Sequence, residues 1–226
     1  MRNCKLALAT LSTLIAFAGT ASAADALRGS IAPSNSMYVG ASIGVSALAP
    51  SPVGPADGSA SAVNFEFDTG VATNVFAGFR PLNNVRLQGE LGYFAQEISK
   101  TASGLPVTGD AAALYLLGSV YYDLPLTEKF SPYVGVGAGA AFIDGDITVG
   151  TNNPSNTKGD DNPVLIVKVS AGASYALSDS IDLFADYSYM QTPDFYLDTT
   201  LSGGAKQIDK TDISAHLISA GMRYNF

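Results

Sequence analysis

The C-terminal stretch Ile213–Phe226, ISAHLISAGMRYNF, decides the fold. In it Ile218, Ala220, Met222, Tyr224 and the terminal Phe226 alternate with Leu217, Ser219, Gly221, Arg223 and Asn225. A period of two puts the first set on one face of a β-strand and the second, with Arg223, on the other. In water the apolar face would need a protein cover. In a bilayer lipid covers it, and a small, polar opposite face is what the inside of a membrane barrel requires.

The other end of the chain speaks to the compartment. Arg2 and Lys5 form a positive n-region, Leu6 to Ala18 an apolar run well short of the ~20 residues that span a bilayer, and Ala21-Ser22-Ala23 a small-residue cleavage site. Residues 1–23 are therefore expected to be a cleaved signal peptide, 24–36 an N-terminal periplasmic segment and 37–226 the barrel. Cys4, the only cysteine, leaves with the signal, and its place before the apolar run excludes a lipoprotein anchor.

Losing residues 1–23 removes two basic groups and no acidic ones, so the formal charge falls from −8 to −10. That balance argues against nucleic acid as a partner. No stretch of the mature chain reads as a transmembrane helix, which leaves a barrel open, because its strands need only ~10 residues each.

Eight alternating segments follow: 37–45, 65–80, 85–98, 110–124, 131–143, 164–177, 181–191 and 213–226. Their connections alternate in length. Residues 81–84, 125–129 and 178–180 read as tight turns rich in Pro, Asn, Asp and Ser. Residues 46–64, 99–109, 144–163 and 192–210 are longer, and are expected to be the four extracellular loops, with both chain ends periplasmic. The fold class expected is all-β, an eight-stranded antiparallel up-and-down transmembrane β-barrel.

Strand parity places charge on one face. Arg86, Gln88, Glu90 and Gln96 oppose Leu87, Leu91 and Tyr93; Lys168, Ser170 and Ser174 oppose Leu165, Val167, Val169 and Tyr175; Asp182, Asp186 and Ser188 oppose Leu183, Ala185, Tyr187 and Tyr189. A charge in a narrow interior must be paired or hydrated, so Arg86, Glu90, Lys168, Asp186 and Arg223 are expected to form an internal ion-pair network. Gly40, Gly44, Gly135, Gly137 and Gly139 face the same way and leave room for longer charged chains or water. Tyr122, Tyr175, Tyr224 and Phe226 at the turn end, with Tyr93, Phe142 and Tyr189 at the loop end, read as interfacial belts.

One stretch carries a resemblance. Val120-Tyr121-Tyr122-Asp123-Leu124, a short turn, then Ser131-Pro132-Tyr133-Val134-Gly135-Val136-Gly137-Ala138-Gly139-Ala140-Ala141-Phe142 resembles the surface-antigen family of alphaproteobacterial outer-membrane proteins, within the opacity-protein-like, OmpA-type barrels. The resemblance is strongest over 110–143 and looser through 65–98 and 164–226. It implies an abundant surface antigen with variable exposed loops, used in host contact or adhesion in some members and as a small pore in others. It carries no catalytic residues and no cofactor. Met222, Tyr224 and Phe226 are similar to the C-terminal signal read by the barrel-assembly machinery.

Enzymatic barrels generally need a His with a carboxylate or a Ser. His216 is the sole histidine; by parity with Phe226 it faces lipid, roughly 25 Å from that end, which suits an interfacial residue and not a buried base. Asp144-Gly145-Asp146 and Asp160-Asp161 lack the spacing of an EF-hand and read as solvated loop acids. The Gly135–Gly139 run precedes no helix, so it is no phosphate loop. The expected role is thus a non-enzymatic surface antigen or adhesin-like structural protein of the outer membrane with a charged, largely plugged lumen. The alternative is a small low-conductance porin; an exported soluble lipocalin-like binder is disfavoured by the outward apolar belts. Its expected partners are outer-membrane lipid and lipopolysaccharide, the assembly machinery, and a host-surface ligand at the loops.

Overall fold

A computed structural model describes residues 36–49, 51–55, 63–101, 107–149, 155–158, 163–200 and 206–226. The expected signal peptide, and the segment up to residue 35, lie outside the described residues. The strands in chain order are β1 (Met37–Leu48), β2 (Ser51–Pro55), β3 (Val63–Phe67), β4 (Gly70–Leu82), β5 (Val85–Thr101), β6 (Val107–Asp123), β7 (Phe130–Val149), β8 (Ser155–Lys158), β9 (Val164–Ala176), β10 (Ile181–Gln191), β11 (Phe195–Thr200), β12 (Lys206–Thr211) and β13 (Ser214–Asn225).

Eight of them close a barrel in the order β1-β4-β5-β6-β7-β9-β10-β13, every neighbouring pair antiparallel. The last strand returns to the first, from Tyr38 opposite Asn225 to Leu48 opposite Ala215, so the wall has no free edge. This is the expected eight-stranded antiparallel barrel. Its outer surface carries Val39, Ile43, Val71, Leu116, Val136, Leu165, Val169, Ile218 and Met222, each exposed. Along β7 the apolar exterior runs from Phe130 to Phe142, a rise of roughly 30 Å for a tilted strand and enough to cross hydrocarbon.

The turns that join strands at one end are short and capped by side chains. Thr127 Oγ1 accepts from the backbone N–H of Lys129 (3.3 Å) and of Phe130 (2.9 Å). Ser178 Oγ accepts from the Ile181 N–H at 3.2 Å. These hydroxyls replace ladder bonds where the chain reverses, which is why Ser and Thr recur there.

At the opposite end, segments expected to be loops contain strands of their own. The second expected segment, 65–80, is two strands, β3 and β4, interrupted at Asp68 and Thr69, and β7 runs six residues beyond its expected end, to Val149. Beyond the barrel strands β2, β3, β8, β11 and β12 pair as β5-β3-β2-β12-β11-β8-β7. Each extends the line of a barrel strand, so the wall continues as a closed collar past the apolar band. The loop segments lack the in-out apolar alternation because no lipid faces them there; their strands are dictated by the register of the wall below.

Candidate functional site

The barrel interior gathers the charged residues. Glu90 receives hydrogen bonds from Lys168 Nζ, from Tyr121 Oη (2.9 Å) and from Asn74 Nδ2 (3.0 Å), while Lys168 Nζ also donates to Tyr121 Oη at 2.9 Å. The Glu90 side chain is wholly buried and that of Lys168 is 3% exposed. Nearer the turns, Arg86 Nε reaches both carboxylate oxygens of Asp123 at 2.9 and 2.8 Å. Asp182 accepts from Arg223 Nη1 at 3.3 Å and lies 3.8 Å from Arg80 Nη2, and Asn225 bridges Arg80 and Asp182.

Thus the five residues expected in one network all line the lumen but divide into separate groups. Glu90 and Lys168 pair with each other; Arg86 and Arg223 pair with Asp123 and Asp182, which the expected network omitted, as it did Arg80. Among the described residues no Lys or Arg forms an ion pair with Asp186, whose carboxylate is held by the hydroxyls of Ser219 and Ser188. The division follows from register. Asp182 is directly opposite Arg223 on the neighbouring strand, whereas Glu90 and Lys168 meet across the lumen from strands that do not pair.

Aromatic rings occupy most of the remaining interior, and here the expected use of the glycines is corrected. Tyr38, Phe76, Tyr115, Tyr121, Tyr133 and Phe184 each stand directly opposite a glycine on the adjacent strand: Gly78, Gly40, Gly92, Gly135, Gly172 and Gly221 respectively. A Cβ at any of these glycines would come within 2.1 to 2.7 Å of the facing ring. Of the glycines expected to leave room for charged chains or water, Gly40 and Gly135 instead make room for rings lying flat against the wall, while a Cβ at Gly44 or Gly139 would strike neighbouring backbone and one at Gly137 the Ser119 hydroxyl. Parity could have found the rings, since Tyr115 and Tyr121 share a face with Ser119 and Asp123.

The rings sort by height. Tyr38, Phe76, Tyr121, Tyr133 and Phe184 cluster toward the turn end, where Arg86 lies over Tyr121 and Tyr133 at 4.7 and 4.9 Å from the ring centroids. Leu48, Phe94, Tyr115, Leu117, Ile166, Met190 and Leu217 form a second buried cluster toward the loop end. Between them lies a cavity of about 30 Å³ lined by Asn74, Glu90, Lys168, Asp186 and Ser219 among others. A wider recess of about 200 Å³ opens at the turn end, with Arg80, Arg223, Asp123, Asp182 and Lys129 in its walls.

On the exterior, His216 is exposed as parity requires. Its Nδ1 is 2.6 Å from Tyr187 Oη, and its ring stacks on that of Tyr187 and meets that of Tyr189 at a tilt of 46°. Met222 and Tyr224 face outward on β13, and the Tyr224 ring meets that of Phe226 edge-on at 5.2 Å. Tyr122, Tyr175 and Phe142 are exposed on the outer surface. Among the described residues no group of His, Cys, Asp and Glu is arranged to hold a metal ion. Asp160 and Asp161 lie outside the described residues.

The closed antiparallel wall agrees with the fold of solved outer membrane proteins that this chain is similar to. An uncharacterized protein of Brucella abortus is 25% identical over 72% of this chain and 71% of its own length. Among solved structures, the outer membrane protein OprG of Pseudomonas aeruginosa superposes with a TM-score of 0.62 at 13% identity, covering 85% of this chain and 97% of OprG. The Escherichia coli outer membrane protease OmpT gives 0.55 at 9% identity, covering 86% and 98%. At such identities these two show the fold and no activity. The model of the outer membrane protein beta-barrel domain matches residues 9–226, nearly the whole sequence; with the barrel that those residues build, this chain belongs to that outer membrane family.

Proposed function

We propose that this chain is a surface protein of the outer membrane, a surface antigen or adhesin-like structural protein whose collar meets ligands while its lumen stays plugged. The observation that carries this reading is the interior packing: Tyr115, Leu117 and Met190 are each 2% exposed, and they lie in a lumen whose inner cavity holds about 30 Å³. A hydrated ion needs a continuous wet path, and an apolar constriction of this kind opposes one by dewetting. In this reading the collar faces outward and the turns and termini face the periplasm. Lipid and lipopolysaccharide cover the apolar band, and Met222, Tyr224 and Phe226 form the signal that the assembly machinery reads. His216, on the lipid side between two tyrosines, is an interfacial residue and not a general base.

The test is planar-bilayer conductance of the refolded mature protein, after heat-modifiable gel mobility has verified folding. Silence is expected. A second reading, the small low-conductance porin, draws support from two buried polar atoms lining the lumen, Asn74 Oδ1 and Arg223 Nε, which meet no protein partner and call for water. Discrete conductance steps whose ion selectivity changes in Lys168→Met would overturn the plugged reading in favour of that one.

A further inference from the structure

The outer face of the barrel carries one hydrogen-bonded polar pair that neither the lumen nor the collar uses, Tyr187 with His216. His216 on β13 stands directly opposite Tyr189 on β10 and Ala47 on β1. The Tyr187 ring is stacked on the imidazole with centroids 6.0 Å apart, and the Tyr189 ring meets it at 5.2 Å. Tyr189 Oη donates to Ser214 Oγ at 3.2 Å, and Tyr187 Oη is hydrogen-bonded to His216 Nδ1 at 2.6 Å. That leaves His216 Nε2, on an exposed ring, with no partner among the described residues. Ala47 on the far side is too small to cover it.

Cross-strand pairs fix the depth of this atom. Toward the turns the next outward pair, Tyr187 with Ile218, begins the apolar band, which Ala185 with Ala220 and Leu183 with Met222 continue. Toward the collar the next outward pair, Gln191 with Ser214, is polar, and beyond it Asp194 and Lys210 hold an exposed ion pair at 2.6 Å. His216 therefore lies at the step between hydrocarbon and water, the level at which lipid headgroups lie and amphipathic rings gather. An imidazole nitrogen there that meets no protein group needs a polar partner from outside the chain, because leaving it against hydrocarbon costs its hydration.

We propose that His216 and Tyr187 bind the phosphate of a lipid headgroup at the collar edge of the apolar band. An oxyanion at Nε2 favours the doubly protonated imidazole; Nδ1–H then donates to Tyr187 Oη, and the Tyr187 hydroxyl proton is freed to donate to the same anion. A neutral imidazole whose Nδ1 accepts from Tyr187 offers one donor only, so the second donor arrives with the anion. Both contacts are then hydrogen bonds to a charged oxygen, the stronger kind. Lys210 and Asp194 are spent on each other, and a chain of formal charge −8 repels anionic lipid in general, so specific retention has to come from the pair. The inference rests on the outer-membrane reading above; conductance tests that reading, and lipid retention tests this one.

Native mass spectrometry of the refolded mature protein, released from neutral detergent micelles that contain phosphatidic acid or diacylglycerol with the same acyl chains, is the test. Retention of phosphatidic acid and not of diacylglycerol is expected. His216→Phe keeps a ring but removes the donor, and weakens retention about tenfold, the effect of one charge-assisted hydrogen bond. Tyr187→Phe removes the second donor and weakens it severalfold. Both positions are exposed on the outer wall, so neither change opens a cavity in the interior. Retention of neither lipid, equal retention of diacylglycerol, or phosphatidic acid retention unmoved in both variants once heat-modifiable mobility has verified their folding, overturns the proposal.

Discussion

Lys168→Met is expected to destabilise the barrel by about 3–5 kcal/mol, the usual cost of breaking a buried ion pair by removing one partner. Glu90 would keep its hydrogen bonds from Tyr121 and Asn74 but lose the cation bonded to it, in a position with no exposed side-chain surface. The double variant Glu90→Gln with Lys168→Met is expected to recover most of that loss, because no charge is then stranded in the lumen. Urea unfolding of the refolded protein, followed by the shift between folded and unfolded gel mobility, reads both. If the double variant is as unstable as the single one, packing around Lys168, and not the charge of Glu90, sets the stability.

The second large effect separates two glycines one strand apart. A Cβ at Gly139 would lie 1.9 Å from the Leu116 carbonyl oxygen and 2.9 Å from the Leu117 Cα, both backbone atoms that cannot swing aside. Gly139→Ala must push β6 from β7, at a cost of ~3 kcal/mol, the upper part of the range for overpacking. Gly118 faces the other way, and a Cβ there meets nothing within 4 Å. Gly118→Ala is accordingly expected to stabilise the barrel by ~0.5–1 kcal/mol, through the smaller backbone entropy lost on folding. The same unfolding experiment measures both; equal effects would mean that the tight contact at Gly139 does not constrain the wall.

Alternation along Ile213–Phe226, Val164–Leu177 and Asp110–Leu124 made the barrel legible, because lipid on one side and a narrow lumen on the other force every strand to obey the same period. It also told which residues point inward, so Arg86, Glu90, Lys168, Asp186 and Arg223 were found without knowledge of their partners. The collar was not legible: past the apolar band nothing penalises a polar residue facing out, and β2, β8, β11 and β12 carry little of the pattern. Parity marks the rings as inward, but which glycine lies under which ring was not legible, because cross-strand opposition depends on register.

What the sequence by itself determined is the set of faces: period two, an export-like N-terminus, an apolar outside and a charged inside. What only the tertiary structure decided is who meets whom. Lys168 finds Glu90 across 78 positions and Arg80 finds Asn225 across 145, joined by a closure between β1 and β13 that brings the two ends of the chain side by side. Such pairings depend on register, and a shift of two residues along any strand keeps every face while exchanging every partner. Alternation is a property of each strand alone, whereas register is fixed only when all eight close on one another around a filled interior.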